Sequence, residues 1–180
     1  MCERFITYLG INKEDNLLDF GCAKGFTVNA FNSLGYNCYG VDISDYAISK
    51  CDPEIKDRLR LYTGDDSLNH DRFDKFDYIF AKDVFEHIEK DELIRTCEIL
   101  YKNTKKLFVV VPLGNDGKYV VPEYEGDITH VIRENKEWWE SVFKKVGFNV
   151  EKSTYKVNGI KDNWSHYEEG NGFFVLTNNN

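Results

Sequence analysis

The stretch Leu17-Leu18-Asp19-Phe20-Gly21-Cys22-Ala23-Lys24-Gly25 places an apolar run directly before a turn that contains two glycines. This order predicts a buried strand that passes through a tight turn into a helix, where glycines let a ligand approach the backbone closely. A second predicted strand, residues 37–42, ends in Asp42. A carboxylate at that place can accept hydrogen bonds from two ribose hydroxyls, so the turn and Asp42 together indicate a nucleoside site.

Short β-rich runs alternate with helix-period segments along the rest of the chain, which is typical of a sheet covered by helices on both faces. The predicted strands are residues 17–20, 37–42, 59–63, 76–81, 107–111, 148–155 and 173–177. The predicted helices are residues 2–9, 25–34, 91–101 and 135–146, and one more that begins after Ser44. No helix separates the last two strands, so we expect them to be antiparallel. The predicted fold class is therefore α/β: a doubly wound, Rossmann-like, seven-stranded and mostly parallel sheet with an antiparallel last strand.

Two segments outside the strands carry further expectations. Residues 112–130 contain Gly114, Gly117, Pro122 and Gly126, which break any period, and they predict a long functional loop. In the helix at 135–146, Trp138, Val142 and Val146 lie on one stripe, which predicts that Trp138 is part of the core.

The composition favours one domain and disfavours several kinds of partner. A length of 180 residues is usual for a single domain, and we expect one domain over residues 1–180. The net charge of −8 gives no overall positive field, so nucleic acid and membrane surfaces are disfavoured partners. The longest apolar run, residues 107–113, is far too short to span a bilayer. The chain starts without a signal peptide and its five cysteines form no C-x-x-C pair, so we expect a cytoplasmic protein with reduced thiols.

The spacing of the glycines decides between classes of nucleotide ligand. A dinucleotide site needs G-x-G-x-x-G, but Ala23 and Phe26 occupy the second and third glycine positions of that pattern. A phenyl ring cannot replace a glycine where a helix meets a strand, so nicotinamide and flavin dinucleotides are disfavoured. The sequence also lacks a G-x-x-x-x-G-K-[ST] motif, which excludes a P-loop.

The pattern [DE]-x-G-x-x-x-G, matched here by Asp19, Gly21 and Gly25, resembles the first motif of the class I S-adenosylmethionine-dependent methyltransferases. Residues 76–88, and residues 127–130 with the helix that follows them, also resemble segments of this family. The resemblance covers about residues 16–177. It implies that the turn holds the methionine part of S-adenosylmethionine, that Asp42 binds the ribose and that Ile43 flanks the adenine. It also implies that Asp65, or Asp66 beside it, receives the adenine amino group. The cofactor-binding residues that it implies are Asp19, Gly21, Cys22, Ala23, Gly25, Asp42, Ile43, Asp65, Asp66, Ala81 and Lys82.

Two histidines are candidate catalytic residues. Methyl transfer to a hydroxyl requires a base that removes the proton, and histidine suits this role because it titrates near neutral pH. His87 follows the strand at 76–81 and His130 follows the long loop, and either is a candidate base. The structural alternative is that His87 packs beneath the cofactor and that His130 anchors the loop to Asp83 or Glu86. His70 lies in a polar run and is expected at the surface.

The acceptor is expected to be a small hydroxylated molecule such as a sugar or polysaccharide precursor. Almost no residues remain for a separate substrate domain, so acceptor selection falls to the first helix and to the loops at 112–130 and 156–172. The candidate substrate-binding residues are Tyr119, Tyr124 and His166.

Two other functions stay open. One is a metal-assisted RNA 2′-O-methyltransferase, because Asp83, Glu86, His87 and His130 resemble the metal ligands of the small-RNA 2′-O-methyltransferases, with an aspartate where those enzymes have a glutamate. The main prediction is that no metal is bound. The other is a non-catalytic cofactor-binding or scaffold protein on the same fold.

Overall fold

The computed structural model describes residues 1–64, 68 and 75–178. Its α-helices are α1 (Cys2–Leu9), α2 (Phe26–Ser33), α3 (Asp45–Ser49), α4 (Lys90–Asn103) and α5 (Lys136–Val146). Its strands are β1 (Asn16–Phe20), β2 (Asn37–Asp42), β3 (Leu59–Leu61), β4 (Phe76–Lys82), β5 (Thr104–Pro112), β6 (Gly114–Asn115), β7 (Lys118–Tyr119), β8 (Asn149–Thr154) and β9 (Asn171–Thr177). None of the described helices has the length and apolar character that crossing a membrane requires.

The main sheet has seven strands in the order β3-β2-β1-β4-β5-β9-β8. Strands β1 to β5 pair in parallel, and β9 runs antiparallel to both of its neighbours. The predicted fold class is therefore confirmed, including the antiparallel last strand. The chain leaves β1 toward β2 on one side and returns to β4 on the other, so the carboxyl ends of β1 and β4 flank the point where ligands bind in such sheets.

Apolar side chains fill both faces of the sheet. On one face the rings of Phe5 and Phe31 stack on Phe80, with centroid distances of 5.0 and 5.4 Å. On the other face Trp139 and Phe143 of α5 pack beside Phe85, and all three are fully buried. These two layers hold the strand ends in fixed positions, and those ends carry the site.

Two sequence-based expectations are corrected. Trp138 was expected in the core, but the structure buries Trp139 fully and leaves Trp138 half-buried. Asn135 caps α5 by accepting from the Trp138 amide at 2.9 Å, and the face that meets the sheet is carried by Trp139, Val142 and Phe143. The three apolar residues at helical spacing therefore mark the edge of the buried face of α5, and Trp139 lies at its centre.

The long loop after β5 contains regular structure. Strands β6 and β7 pair as an antiparallel hairpin, and a 3-10 helix follows at Pro122–Gly126. The hairpin turns at Asp116 and Gly117, whose φ angles of 50° and 76° are both left-handed. Asp-Gly pairs are a known signal for a hairpin turn, but no hairpin was predicted here from the sequence.

Candidate active site

The glycine turn after β1 can be built only with glycines at two of its positions. Gly21 and Gly25 have φ angles of 81° and 76°, in the left-handed region that favours glycine. A Cβ atom on Gly21 would collide with the Val84 side chain, and one on Gly25 would lie 2.7 Å from Cδ1 of Ile55. The amides of Gly21 and Cys22 donate to the Val41 carbonyl at 2.8 and 3.0 Å, which ties the turn to β2.

Asp42 connects this turn to the next helix. Its Oδ2 accepts from the Ala23 amide at 2.7 Å, and its Oδ1 accepts from the Ser44 amide at 2.8 Å. Ser44 in turn caps α3, as predicted, by accepting from the Ala47 amide at 3.1 Å. One carboxylate at the end of β2 therefore fixes both backbone segments, and its remaining lone pairs can accept from a ligand.

A cleft of about 720 Å³ opens above the carboxyl ends of β1, β2 and β4. Four of the residues predicted to bind the cofactor line it, namely Gly21, Ala23, Asp42 and Ile43. Of the candidate bases, His87 lines it as well, and Asp83 stands on the same wall. Thr63 and Gly64 form the wall directly before the predicted Asp65 and Asp66, which lie outside the described residues together with His70.

The other predicted cofactor residues lie outside the set that lines this cleft: Asp19, Cys22, Gly25, Ala81 and Lys82. Asp19 is 8% exposed, at the end of β1. Burial raises its pKa to about 7, although a hydrogen bond with Thr27 and the nearby Lys82 ammonium act in the opposite direction. Burial also raises the pKa of the Cys22 thiol, which agrees with a role for its backbone alone.

Many residues that line the cleft were not predicted from the sequence. Three of the lining residues belong to segments that were expected to contact the cofactor: Phe20, Thr63 and Gly64. The lining residues that were not expected there are Val41, Tyr62, Val84, Ile88, Glu89, Glu92 and Thr96. Tyr62 directly follows β3, and that position is a signal that could have identified it. Glu92 and Thr96 come from α4, and no local pattern indicates that this helix faces the cleft.

The structure brings the two candidate histidines together, with their ring centroids 4.7 Å apart. Nδ1 of His87 lies 2.8 Å from the Thr129 hydroxyl, which itself lies 2.6 Å from Oδ1 of Asp127. A carboxylate only accepts, so the Thr129 hydroxyl donates to Asp127 and accepts from His87. We therefore assign the ring proton of neutral His87 to Nδ1, which leaves Nε2 as a proton acceptor.

His130 is more enclosed, with 9% of the residue exposed. Its Nδ1 lies 3.1 Å from the Tyr124 carbonyl, and its Nε2 lies 3.6 Å from Oδ2 of Asp127. Burial and the neighbouring His87 lower the pKa of His130, which favours the neutral ring. The expected anchor to Asp83 or Glu86 is replaced by these two partners, because the 3-10 helix at Pro122–Gly126 brings its own carbonyl to the ring.

The four-residue metal set of the sequence analysis is not assembled. Glu86, His87 and His130 each place one ligand atom within 4.8 Å of the others, but Asp83 is not a member of that group. The Asp83 carboxylate instead forms ion pairs with Lys82 and Lys161. Burial opposes its ionisation, but the ammonium groups of Lys161 and Lys82 lower the pKa of Asp83 overall.

Glu86 is a poor partner for a divalent ion in this arrangement. The residue is 1% exposed, and within the described part of the chain its Oε2 atom has no hydrogen-bond partner. Burial and the nearby Asp83 raise the pKa of Glu86 to about 8, so the carboxyl group is largely neutral near pH 7. The residues present therefore do not fit a divalent ion, and we derive no step through one.

The candidate substrate residues lie in the surrounding loops, apart from the residues that line the cleft. Tyr119 is buried and donates to the Ile132 carbonyl at 2.7 Å. Tyr124 donates to Oδ1 of Asn171 at 2.9 Å. His166 packs against Tyr167, with ring centroids 4.4 Å apart, in the loop before β9. Their predicted contacts with an acceptor stay predictions.

Comparisons with known proteins agree with this architecture. A family model described as "Methyltransferase domain" matches residues 1–153. A SAM-dependent methyltransferase from Archaeoglobus fulgidus is similar with a TM-score of 0.74 and 16% identity, over 98% of this chain and 92% of that one. A S-adenosylmethionine-dependent methyltransferase from Clostridium acetobutylicum is similar with a TM-score of 0.68 and 14% identity, over 98% of this chain and 89% of that one.

A third similar structure is that of the small RNA methyltransferase HEN1, with a TM-score of 0.70 and 16% identity. The match covers 99% of this chain but 25% of that one. No curated protein sequence matches this chain. At these identities the solved structures show a shared fold, and the family model matches most of the sequence. The chain therefore belongs to the class I S-adenosylmethionine-dependent methyltransferases, and S-adenosylmethionine is its cofactor.

Proposed function

We propose that this methyltransferase methylates a hydroxyl oxygen of a small acceptor, such as a sugar or polysaccharide precursor, and that His87 is the base. One observation carries the proposal: His87 lines the cleft, and its contact with Thr129 leaves Nε2 free to accept a proton. His130 shares a carboxylate with this arrangement, because Asp127 contacts both Thr129 and His130. The second histidine therefore supports the first in our proposal.

The cofactor occupies the cleft in this proposal. The turn from Asp19 to Gly25 holds the methionine part, Asp42 accepts hydrogen bonds from the ribose hydroxyls, and Ile43 lies against the adenine. Ile43 is 79% exposed, which leaves its side chain available for an adenine ring. Asp65 or Asp66 receives the adenine amino group, while Ala81 and Lys82 support the site from β4.

When bound, S-adenosylmethionine supplies an electrophilic methyl carbon on a positively charged sulfur. The side chains of this protein orient the acceptor hydroxyl and take its proton. His87 accepts that proton at Nε2, while the proton on Nδ1 stays there and is donated in a hydrogen bond to the Thr129 hydroxyl oxygen. Asp127 stabilises the imidazolium that results, because its carboxylate is the final acceptor of the relay. Correct placement of the acceptor supplies much of the rate in such transfers.

The loops around the cleft support a small acceptor. Tyr119, Tyr124 and His166 lie on the segments 112–130 and 156–172, and most of the remaining chain builds the sheet and its helices. The net charge of −8 disfavours a polyanionic acceptor. A single domain over residues 1–180 is part of this proposal. A cytoplasmic location is also part of it, because all five cysteines are free thiols.

A test uses the purified protein, labelled S-adenosylmethionine and a panel of monosaccharides, nucleotide sugars and phenols. We expect methyl transfer to at least one hydroxylated compound, and His87→Ala should reduce its kcat by about 100-fold or more. The affinity for the cofactor should stay within about two-fold, because the proposed adenosyl contacts are elsewhere. Equal losses in turnover and affinity would instead assign His87 a packing role.

A metal-assisted RNA 2′-O-methyltransferase is the second candidate. The convergence of Glu86, His87 and His130 within 4.8 Å favours it. The ion pairs of Asp83 and the negative net charge weigh against it. Transfer to a small RNA that a chelator abolishes would support this candidate over the main proposal.

A further inference from the structure

Lys161 places an enclosed ammonium group beside the active-site cleft. Its side chain is 9% exposed, although it comes from the loop before β9, and it forms an ion pair with Asp83 on the cleft wall. The two residues are 78 positions apart in the sequence. The ammonium also lies 4.9 Å from the ring centroid of Tyr124. The fold thus places a cation from a distant segment against Asp83, which lines the cleft.

This lysine remains charged in spite of its burial. Burial lowers the pKa of Lys161, but the Asp83 carboxylate, together with Tyr124 and Glu86, more than offsets this and the pKa of Lys161 is raised overall. The Tyr124 hydroxyl, which donates to Asn171, is left to accept from the ammonium. An ammonium has three N–H donors, so a third one can serve an acceptor oxygen.

The position of this ammonium conflicts with a divalent ion. Lys161 acts electrostatically on Glu86 and on His130, two of the three residues that converge within 4.8 Å. A divalent ion also prefers carboxylate ligands that bear a free negative charge, and the charge of Asp83 is already shared by two lysines. Positive charge is therefore already present beside the Asp83 carboxylate that a metal ion would need.

We propose that the ammonium group of Lys161, fixed by Asp83, is the resident cation of this cluster and holds the acceptor oxygen in place of a divalent metal ion. The statement about the acceptor rests on the proposed function. The statement about the metal does not, because metal binding can be measured without any acceptor.

The first experiment titrates Co²⁺ into the purified protein and follows its visible absorption. We expect weak binding by the wild type and at least about ten-fold tighter binding by Lys161→Gln, because the substitution removes the enclosed positive charge beside Asp83. Lys161→Arg keeps the charge and should bind as weakly as the wild type. Lys105→Gln removes an exposed ammonium that pairs with Asp77 and does not line the cleft, so it serves as the matched control, with no gain expected.

Two results would overturn the inference. One is wild-type Co²⁺ binding as tight as that of Lys161→Gln, and the other is a folded Lys161→Gln that gains no affinity. Thermal melting establishes whether each variant is folded. The wild-type titration decides even when the variants fail to fold, because a wild-type dissociation constant in the low micromolar range contradicts a resident ammonium.

The second experiment concerns the reaction. Wild-type turnover should be unaffected by a chelator, and Lys161→Gln should lose at least about ten-fold in kcat with an unchanged affinity for the cofactor. Added Co²⁺ or Mn²⁺ should restore part of the loss, which a merely structural role would not produce. Wild-type activity that the chelator abolishes would overturn the inference. If no hydroxylated acceptor is methylated, the proposed function fails while the Co²⁺ titration still decides the role of Lys161.

Discussion

Asp42 is the residue on which the cofactor assignment depends most. Its two oxygens already accept from the amides of Ala23 and Ser44, so it is rigidly placed when a ligand arrives. We expect Asp42→Ala to weaken S-adenosylmethionine binding by about 1–3 kcal/mol, because a charged acceptor is removed from buried hydroxyl donors. Isothermal titration calorimetry measures this loss. Asp45→Ala, an exposed acid three residues away, is the control that should leave the affinity unchanged.

Unchanged affinity in Asp42→Ala would show that the ribose is held elsewhere. Asp42→Asn separates charge from shape, because an amide oxygen can still accept one of the two backbone hydrogen bonds. If Asp42→Asn loses affinity for S-adenosylmethionine while its melting temperature is unchanged, the cause is the lost contact with the ligand.

We expect Asp19 to make the affinity for the cofactor depend on pH. Burial raises its pKa to about 7, so its carboxyl group is roughly half ionised at neutral pH in the free protein. The ammonium of the methionine part favours the ionised carboxylate, so binding should release a proton and strengthen as pH rises from about 5.5 to 7. Calorimetry in buffers of different ionisation enthalpy detects that proton.

The matched variant for this effect is Asp19→Asn, which should bind more weakly and with a flatter pH profile. An equally steep profile in both proteins would place the titrating group elsewhere, since the cofactor amine also titrates near neutral pH.

At the scale of elements, the segment between the 3-10 helix and α5 positions His87, the proposed base. Thr129 links His87 to Asp127. These hydrogen bonds, and the one from the Thr129 amide to Asp127, require the backbone of residues 127–130 to keep its observed conformation. Thr129→Val keeps the shape but removes the hydroxyl. We expect kcat to fall about ten-fold, since an orienting hydrogen bond is lost, with the cofactor affinity unchanged.

Steady-state kinetics and calorimetry check this expectation together. Thr7→Val removes a comparable hydroxyl, which donates to the Glu3 carbonyl on α1, and should leave kcat unaltered. If Thr129→Val instead lowers the melting temperature and the cofactor affinity together, the result would contradict an orienting role for Thr129. It would indicate that the substitution unfolds the loop.

The elements themselves were largely predictable, because apolar periodicity is a local property of the sequence. Strand β2 and helix α1 begin and end where the pattern placed them. The position of Trp138 was wrong because three apolar residues at helical spacing do not fix which edge of a stripe faces the sheet. The hairpin turn at Asp116 and Gly117 carried a usable signal that the loop-like composition around it obscured.

The contacts of the site were less predictable, because they join distant parts of the chain. The resemblance named Asp42 and Ile43, and the cleft contains both. No local sequence pattern indicates that Lys161 pairs with Asp83, or that Thr129 orients His87. The residues of each pair are far apart in the sequence and meet only in the folded protein. The proposed roles of these side chains therefore depend on the geometry and stay predictions until they are measured.

At the scale of the whole molecule, two buried acids influence stability. The pKa values of Asp19 and Glu86 are raised to about 7 and about 8, chiefly by burial. The folded state therefore retains protons that the unfolded chain loses above about pH 4, so their stabilising contribution falls as pH rises toward 8. The loss is at most about 1.4 kcal/mol per pH unit for each group.

Urea unfolding at about pH 5.5 and pH 8 measures this effect as a difference between proteins. We expect Asp19→Asn and Glu86→Gln each to reduce the loss of unfolding free energy between the two pH values. The comparison with the wild type removes the contributions of other groups, such as His130, whose lowered pKa acts in the opposite direction. An identical loss of unfolding free energy in the wild type and the variants would contradict the raised pKa values of Asp19 and Glu86.

The central claim concerns where the cofactor lies, and a crystal structure with S-adenosylhomocysteine, the demethylated cofactor, tests it most directly. The account predicts the adenosyl group in the 720 Å³ cleft, with both ribose hydroxyls on Asp42 and the sulfur on the side of His87. An adenosyl group bound outside this cleft, or a ribose without contact to Asp42, would contradict it.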